Sequence, residues 1–321
     1  MRMWALAIGV AMIGFNAMVA LGWVDAGKSI YAAPRLIWLS NLVGGLMFGF
    51  GMVLASGCGS KTLVRIGGGS LKAVVVFAVL GIAAYATMRG AFGVVRVATV
   101  DAVAAALPAG QDLPSLVAHW SGLPRASLAL ALGGGLGLLL TGWVLARPEG
   151  RSADVWLAGA GIGAVVVATW WVSGVLGHLA EHPQTLEETF IATNSQRMES
   201  LTFVAPIAYT IDWLILFSDK SKVLTIAVVS TLGVIAGSGA VALLTRSFRW
   251  EGFGGTEDTA NHLVGAVLMG VGGVTAMGCT VGQGLSGVST LALGSFIALA
   301  GILLGAVLAL KYQVWRLDRI E

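Results

Sequence analysis

Apolar runs of about twenty residues, separated by short polar stretches, recur along the whole chain. Each is long enough to cross roughly 30 Å of hydrocarbon as a helix. The pattern predicts nine spans, at residues 3–23, 36–55, 70–93, 126–145, 153–176, 200–218, 222–244, 259–276 and 291–310. Sustained strand-like alternation is absent, which disfavours a barrel. Residues 3–23, behind Arg2, have the look of a signal peptide, but the run exceeds the usual 7–15-residue apolar region and lacks a small-x-small cleavage site, so it is read as a retained span. Residues 94–125 read as a loop with an interfacial helix at 99–107, and 177–199 is the most hydrophilic stretch. Lys311, Arg316 and Arg319 in the tail place the C-terminus in the cytoplasm by the positive-inside rule, and nine spans then put the N-terminus outside. Trp4, Trp23, Trp38, Trp143 and Trp315 fall near span ends, as interface anchors do.

One pattern is written twice. Leu42 to Cys58 reads LVGGLMFGFGMVLASGC, and Leu263 to Cys279 reads LVGAVLMGVGGVTAMGC, at a constant offset of 221 residues. Gly44, Gly49, Gly51, Gly57 and Cys58 return as Gly265, Gly270, Gly272, Gly278 and Cys279. Apolar matches would be cheap in this chain, but glycines and cysteines kept at fixed spacing are not, so the pattern reads as an internal repeat. The repeat motifs extend over 42–81 and 263–301 within a single integral membrane domain, residues 1–321.

Composition sharpens the class. Apolar residues make up 57% of the chain and charged residues 11%, against roughly 25% charged in soluble domains. The 46 glycines suit packed membrane helices, in which small residues let backbones approach. The expected fold is therefore all-α and polytopic, with a Gly-Cys segment in each repeat that breaks the helix or re-enters the bilayer. A net charge of +3 without a basic cluster points away from nucleic acid, and two cysteines cannot build a disulfide framework. GCGSKT resembles the end of a phosphate-binding loop, but Ala55 and Ser60 stand where that motif needs glycine, so ATP is not an expected partner.

Irregular backbone at membrane depth is tolerated where it lines a cavity or is buried in protein, and matched Gly-interrupted segments in two repeats point to a transport site. A helix restarting inside the bilayer offers free N–H groups and a positive dipole end, which suits an anion. The candidate binding residues are Gly57, Cys58, Gly59, Ser60 and Lys61 in the first segment, and Gly278, Cys279, Thr280 and Gln283 in the second. Cysteine adds a soft, polarisable S–H, suited to a sulfur-containing anion. Read singly, Gly57 and Gly278 could be helix caps and the cysteines packing residues; the duplicated placement argues for function.

The SGCGSKTLVRIGGGSLKAVVV stretch, the second MGCTVGQG and the layout of about nine spans together resemble the YeeE/YedE family of sulfur-compound transporters. The resemblance implies an hourglass-shaped bacterial inner-membrane importer whose short helices enter from both faces and point at a central constriction. It implies thiosulfate as substrate, passed along by the thiols of Cys58 and Cys279, and a small soluble sulfur-carrier protein as recipient. The chain departs from thiosulfate importers in having no cysteine in residues 1–57, which leaves another sulfur or selenium species as an alternative substrate. Nine spans make the two repeats parallel by parity, whereas entry from opposite faces requires an odd difference.

Asp212, inside the apolar run AYTIDWLILF, is a coupling-proton candidate with Tyr209 one turn away, or else a structural partner for a neighbouring helix. His262 aligns with Asn41 and reads as a capping or packing residue. His178, Glu181 and His182 read as solvated loop, with no second cluster to complete a metal site, and neither metal nor cofactor is expected. A membrane thiol-disulfide protein is the rival class. It is disfavoured by the absence of Cys-x-x-Cys and of a general base beside either cysteine, so the chain reads as a transporter, not an enzyme.

Overall fold

The computed structural model describes residues 1–183 and 185–319, and these are mostly helical. The helices are α1 (Arg2–Ala20), α2 (Trp38–Leu54), α3 (Gly59–Gly67), α4 (Leu71–Arg89), α5 (Ala91–Ala98), α6 (Leu113–Ser121), α7 (Arg125–Leu145), α8 (Ala153–Leu176), α9 (Ala205–Ile215), α10 (Ile226–Leu244), α11 (Thr256–Thr275) and α12 (Leu293–Leu317). Two short antiparallel pairs accompany them, β1 (Arg35–Leu36) with β2 (Ala105–Ala106) and β3 (His178–Leu179) with β4 (Thr189–Phe190). Among the described residues, seven helical stretches are long and apolar enough to cross a membrane: α1, the run Trp38–Gly67, α4, α7, α8, α10 and α12.

Two of the nine expected spans differ. Residues 200–218 fold as a helix only over the eleven residues Ala205–Ile215, with Pro206 in its first turn. At about 1.5 Å per residue this is roughly half the hydrocarbon thickness. α11 is long enough, but its first two turns carry Glu257, Asp258, Asn261 and His262, so only its second half is apolar. The interfacial helix expected at 99–107 is instead a single helical turn, Val100–Ala102, followed by β2. The helix in this region lies further on: Asp112 caps α6 by accepting from Ser115 N at 3.1 Å, and Pro114 stands in its first turn, where no N–H is required.

The chain forms two compact units. One comprises Met1–Leu36, Ala104–Leu201 and Gly282–Phe296. Its centre is α1, which packs on α7 and α8. Close approach explains the glycines here: a methyl group at Gly163 would lie 2.8 Å from Ala7 O, and one at Gly137 2.7 Å from Gly9 O. Leu6, Phe15 and Trp170 are fully buried, with the Phe15 and Trp170 rings 4.9 Å apart. A polar layer adjoins this core. Asn16 Nδ2 donates to Met12 O and Ser289 O, Trp170 Nε1 donates to Ser289 Oγ, and Ser286 Oγ donates to Leu201 O. These bonds satisfy groups that would be expensive to leave unpaired away from water.

The other unit comprises Ile37–Val103, Thr202–Val281 and the chain from Ile297 onward. α11 is its most embedded helix and packs against α2 and α4. α2 and α11 run antiparallel. A methyl group at Gly44 would lie 2.3 Å from Ala276 N and 2.7 Å from Gly272 O, and one at Gly265 would lie 2.7 Å from Ala55 N and 2.6 Å from Gly51 O. These contacts exchange under the 221-residue offset: Gly44 corresponds to Gly265, Gly51 to Gly272 and Ala55 to Ala276. The glycines are therefore required by helix–helix contact, in which backbone meets backbone. The same pattern continues outward. Gly49 faces Ile302 O on α12, while Gly270 faces Leu80 O on α4.

Candidate functional site

Both cysteines lie in the second unit, each just beyond a helix end of the same construction. At the end of α2, Ser56 N donates to Val53 O at 3.1 Å and Gly57 N to Met52 O at 2.9 Å, with Ser56 in the left-handed region at φ 57°. At the end of α11, Met277 N donates to Val274 O at 3.1 Å and Gly278 N to Gly273 O at 2.8 Å, with Met277 at φ 59°. Each is a paired-bond cap that satisfies the last carbonyls and turns the chain sharply away from the helix axis. The left-handed residue is not the glycine of the Gly-Cys pair but the residue before it.

Cys58 is the N-cap of α3, and Thr62 returns both its N–H and its hydroxyl to Cys58 O at 3.0 and 3.1 Å. The thiol makes no capping bond to the helix, and its sulfur lies 3.1 Å from Ser60 Oγ. The first N–H groups of α3 thus lack a side-chain cap and stand at the positive end of a nine-residue helix. Cys279 likewise precedes a helical stretch, residues 280–289, whose middle part, Gly282–Gly287, is π-helical. Cys58 is half-buried and Cys279 fully buried, and neither is in a disulfide.

A third segment meets both turns. Thr202 Oγ1 lies 3.8 Å from Cys279 Sγ. The next residue, Phe203, presents its carbonyl oxygen to Gly59, where an added methyl group would lie only 2.5 Å away. Val204 in turn packs against Gly273 near the end of α11, 2.6 Å from where a methyl group would stand. Residues 202–204, an irregular stretch ahead of α9, therefore lie against both Gly-Cys turns. Sequence reasoning did not single out Thr202. An isolated threonine in an irregular segment has no periodicity or spacing to expose it.

The other expected site residues divide. Gly57, Gly59 and Ser60 stand with Cys58 in the first turn, and Lys61 follows in the first turn of α3. The Lys61 side chain packs over Gly57, whose added methyl group would meet Lys61 Cδ at 2.6 Å, and the residue is exposed. Gly278 and Thr280 flank Cys279, with Thr280 half-buried. Gln283 belongs to the first unit, where it is 2% exposed in the π-helical turn, its Oε1 against Gly287. Asp212 has both carboxylate oxygens engaged, accepting from Lys222 Nζ at 2.6 Å and from Tyr85 Oη at 2.9 Å. This is how the structural-partner reading of Asp212 would look, with Tyr85 on α4 as its phenol. Of the polar 177–199 stretch, His178 and Lys28 both pair with Glu188, whose carboxyl they hold below the usual range. Among the described residues no three His, Cys, Asp or Glu side chains cluster as metal ligands would.

Comparison with known proteins identifies the family of the chain. A family model described as sulphur transport matches residues 1–308. The thiosulfate transporter TsuA of Escherichia coli is 27% identical over 308 residues, covering 94% of this chain and 80% of the relative. The thiosulfate transporter TsuA of Spirochaeta thermophila is 27% identical over 285 residues, covering 83% of this chain and 75% of the relative. With nearly its full length inside the family match, the chain belongs to the sulphur-transport (YeeE/YedE) family of membrane transporters.

Proposed function

We propose that this protein imports a small sulfur anion, thiosulfate foremost, across a bacterial inner membrane, through a constriction formed where the two Gly-Cys turns meet residues 202–204. The observation that carries this reading is the convergence itself: Thr202 at Cys279 and Phe203 at Gly59 bring two thiol-bearing turns to one short stretch of chain. Uncapped N–H groups at the start of α3 supply positive potential without a fixed charge. The thiols of Cys58 and Cys279 supply soft donors matched to a terminal sulfur atom. The names of the relatives favour thiosulfate, and a small soluble sulfur-carrier protein is the expected recipient.

The antiparallel α2–α11 contact supports an inverted repeat, with Gly-Cys segments entering from opposite faces. The parity argument fails because α9, at eleven residues, is too short to count as a crossing. Removing it leaves four crossings between α2 and α11, a difference of five in span number, and so restores the odd difference that inversion needs. The basic C-terminal tail then faces the cytoplasm, and both termini share that side.

The test is growth of a bacterium that lacks sulfate import on thiosulfate as sole sulfur source, together with uptake of radiolabelled thiosulfate. Expression of this protein should restore both. Proteoliposomes holding the purified protein that take up no labelled thiosulfate would refute the assignment.

A further inference from the structure

We infer that His262 is a proton-dependent anion site beside the Cys58 turn, so that binding of the anion is accompanied by protonation of this imidazole. The inference rests on the transport reading above and adds to it a residue and a proton. His262 is 3% exposed. Its Nδ1 lies 2.7 Å from Asp258 O and 2.9 Å from Asp258 Oδ1, so Nδ1 carries the hydrogen and donates to Asp258. Nε2 is then left as the free end of the ring, buried and without a hydrogen-bond partner among the described residues. At the corresponding position of the first repeat, Asn41 is 4% exposed, and its Oδ1 is likewise buried and unpartnered. Buried polar atoms without partners are uncommon in folded proteins. Two of them at equivalent positions of two paired helices imply a visiting ligand.

The helix pairing says where they stand. Gly265, three residues beyond His262, packs against Ala55 N. Stepping back one turn along α11, on the same face, brings His262 level with the Ser56–Cys58 turn that follows Ala55. By the same pairing, Asn41 is level with the turn that leads to Cys279, because Gly44 packs against Ala276. Each Gly-Cys turn therefore has beside it an unsatisfied polar group from the other helix.

The chemistry of the two groups differs. Asn41 cannot titrate. Neutral His262 offers only a lone pair at Nε2, which repels an anion; the imidazolium offers an N–H there, which binds one. Asp258 steadies the imidazolium through Nδ1. The other charges near this end are settled in pairs or face solvent. On α4, Lys72 pairs with Glu251 at 2.6 Å, and from the tail Arg316 pairs with Glu257 at 3.1 Å. α2 has no charged residue between Trp38 and Leu54, and on α3 Lys61 is exposed and Arg65 half-buried. His262 is thus the titratable group at this end that keeps a buried, unpartnered ring nitrogen. Taking up one proton with a dianion halves the net charge that must be stripped of water, the costly part of entering a narrow site.

The test is thiosulfate binding to the purified full-length protein, measured by calorimetry at about pH 6 and about pH 8 with salt held constant, a range that brackets an ordinary histidine. Thiosulfate is a dianion throughout, so a pH effect belongs to the protein. Wild type should bind roughly tenfold tighter at the lower pH, with one proton taken up per anion, as heats in buffers of different ionisation enthalpy reveal. His262→Asn, which installs the residue of the equivalent position, should bind equally at both pH values. Asp258→Asn, which keeps the ring but removes the carboxylate beside it, should move the transition to lower pH. Retention of the wild-type pH ratio by His262→Asn, or equal wild-type binding at both pH values, would overturn the inference alone. A wild type that binds no thiosulfate at either pH would sink the functional reading, and this inference with it. If His262→Asn does not fold, Asp258→Asn decides: an unmoved transition overturns the inference.

Discussion

The Thr202 hydroxyl lies 3.8 Å from the Cys279 sulfur, and the carbonyl of Phe203, the next residue, abuts Gly59 beside Cys58. Consecutive Cα atoms are about 3.8 Å apart, so one dipeptide spans the gap between the two thiol-bearing turns. Helix ends of identical construction deliver the cysteines to it, and the irregular stretch 202–204 ties them together. On the transport reading proposed above, function depends on a threonine as well as on the thiols.

Thr202→Val removes the hydroxyl while preserving shape. Uptake should fall severalfold, with only a modest change in thermal stability, because valine keeps the shape of the buried Thr202 and gives up the hydroxyl's 3.8 Å contact with sulfur. A Thr202→Val protein with wild-type uptake would show that the hydroxyl does no more than pack.

Cys58→Ala and Cys279→Ala should each abolish or severely reduce uptake in folded protein. Cys→Ser at either site should also be poor, since the oxygen cannot reproduce the soft sulfur contact. Wild-type uptake by both alanine variants would make the cysteines packing residues.

Lys61 is exposed at the start of α3 and suited to attracting the anion rather than gripping it. Lys61→Gln should raise the apparent KM more than it lowers the maximal rate, and the defect should shrink at high salt, where exposed charges are screened over about 8–10 Å. Loss of all transport at saturating substrate would make the lysine a direct ligand.

Gly44→Val should prevent assembly of the α2–α11 pair. The added carbon atoms would meet the backbone nitrogen of Ala276 at 2.3 Å, where no side chain can rotate out of the way. Expression in the membrane and thermal stability should both fall sharply, and normal yield with an unchanged melting temperature would contradict the close contact.

Burial pushes the Glu199 carboxyl up to about 7, against hydrogen bonds from Ser195 and Asn194 that pull it down. Its folded-state value lies above the unfolded one of 4.5, so the neutral form is the one that the fold prefers. Stability from this group is fully present below about pH 4.5 and is lost as pH rises through about 7. Glu199→Gln should be stabilised relative to wild type at about pH 8, by on the order of 1–2 kcal/mol once partial solvent access is allowed for, and the two should converge near pH 5. Thermal melts across this range check the sign; a difference that grows on acidification would reverse it.

The parts of the site readable in the chain were those that physics forces into a pattern. Backbone contact between α2 and α11 demands glycine at fixed spacing, and both caps demand a sharp turn ahead of the cysteine, so Gly44 to Cys58 and Gly265 to Cys279 stand out as a repeat. What escaped depends on partners distant in sequence. Lys222 sits in a polar loop, and nothing in AYTIDWLILF announces that it and Tyr85 take up the carboxylate of Asp212. The shortness of α9 was hidden because the apolar residues continue past both of its ends, while Pro206 and the irregular 202–204 segment confine the helix. Counting that one span as a crossing is what makes the repeats parallel by parity. Asn41 and His262 were aligned from the outset, but only burial shows that each leaves a polar atom unanswered.

The exchange of contacts between α2 and α11 has an ancestral implication. The surface around Gly44 and Gly51 meets the surface around Gly265 and Gly272, and each pair is the other's counterpart under the repeat. Such a patch is self-complementary, the property that defines a twofold interface between identical subunits. A half-length protein with one such helix, inserted into the membrane in both orientations, would have been able to form this pair as a homodimer. Fusion of the two copies would then have freed the equivalent positions to diverge, leaving asparagine at 41 and histidine at 262 at the opposite ends of the pair that the twofold relates.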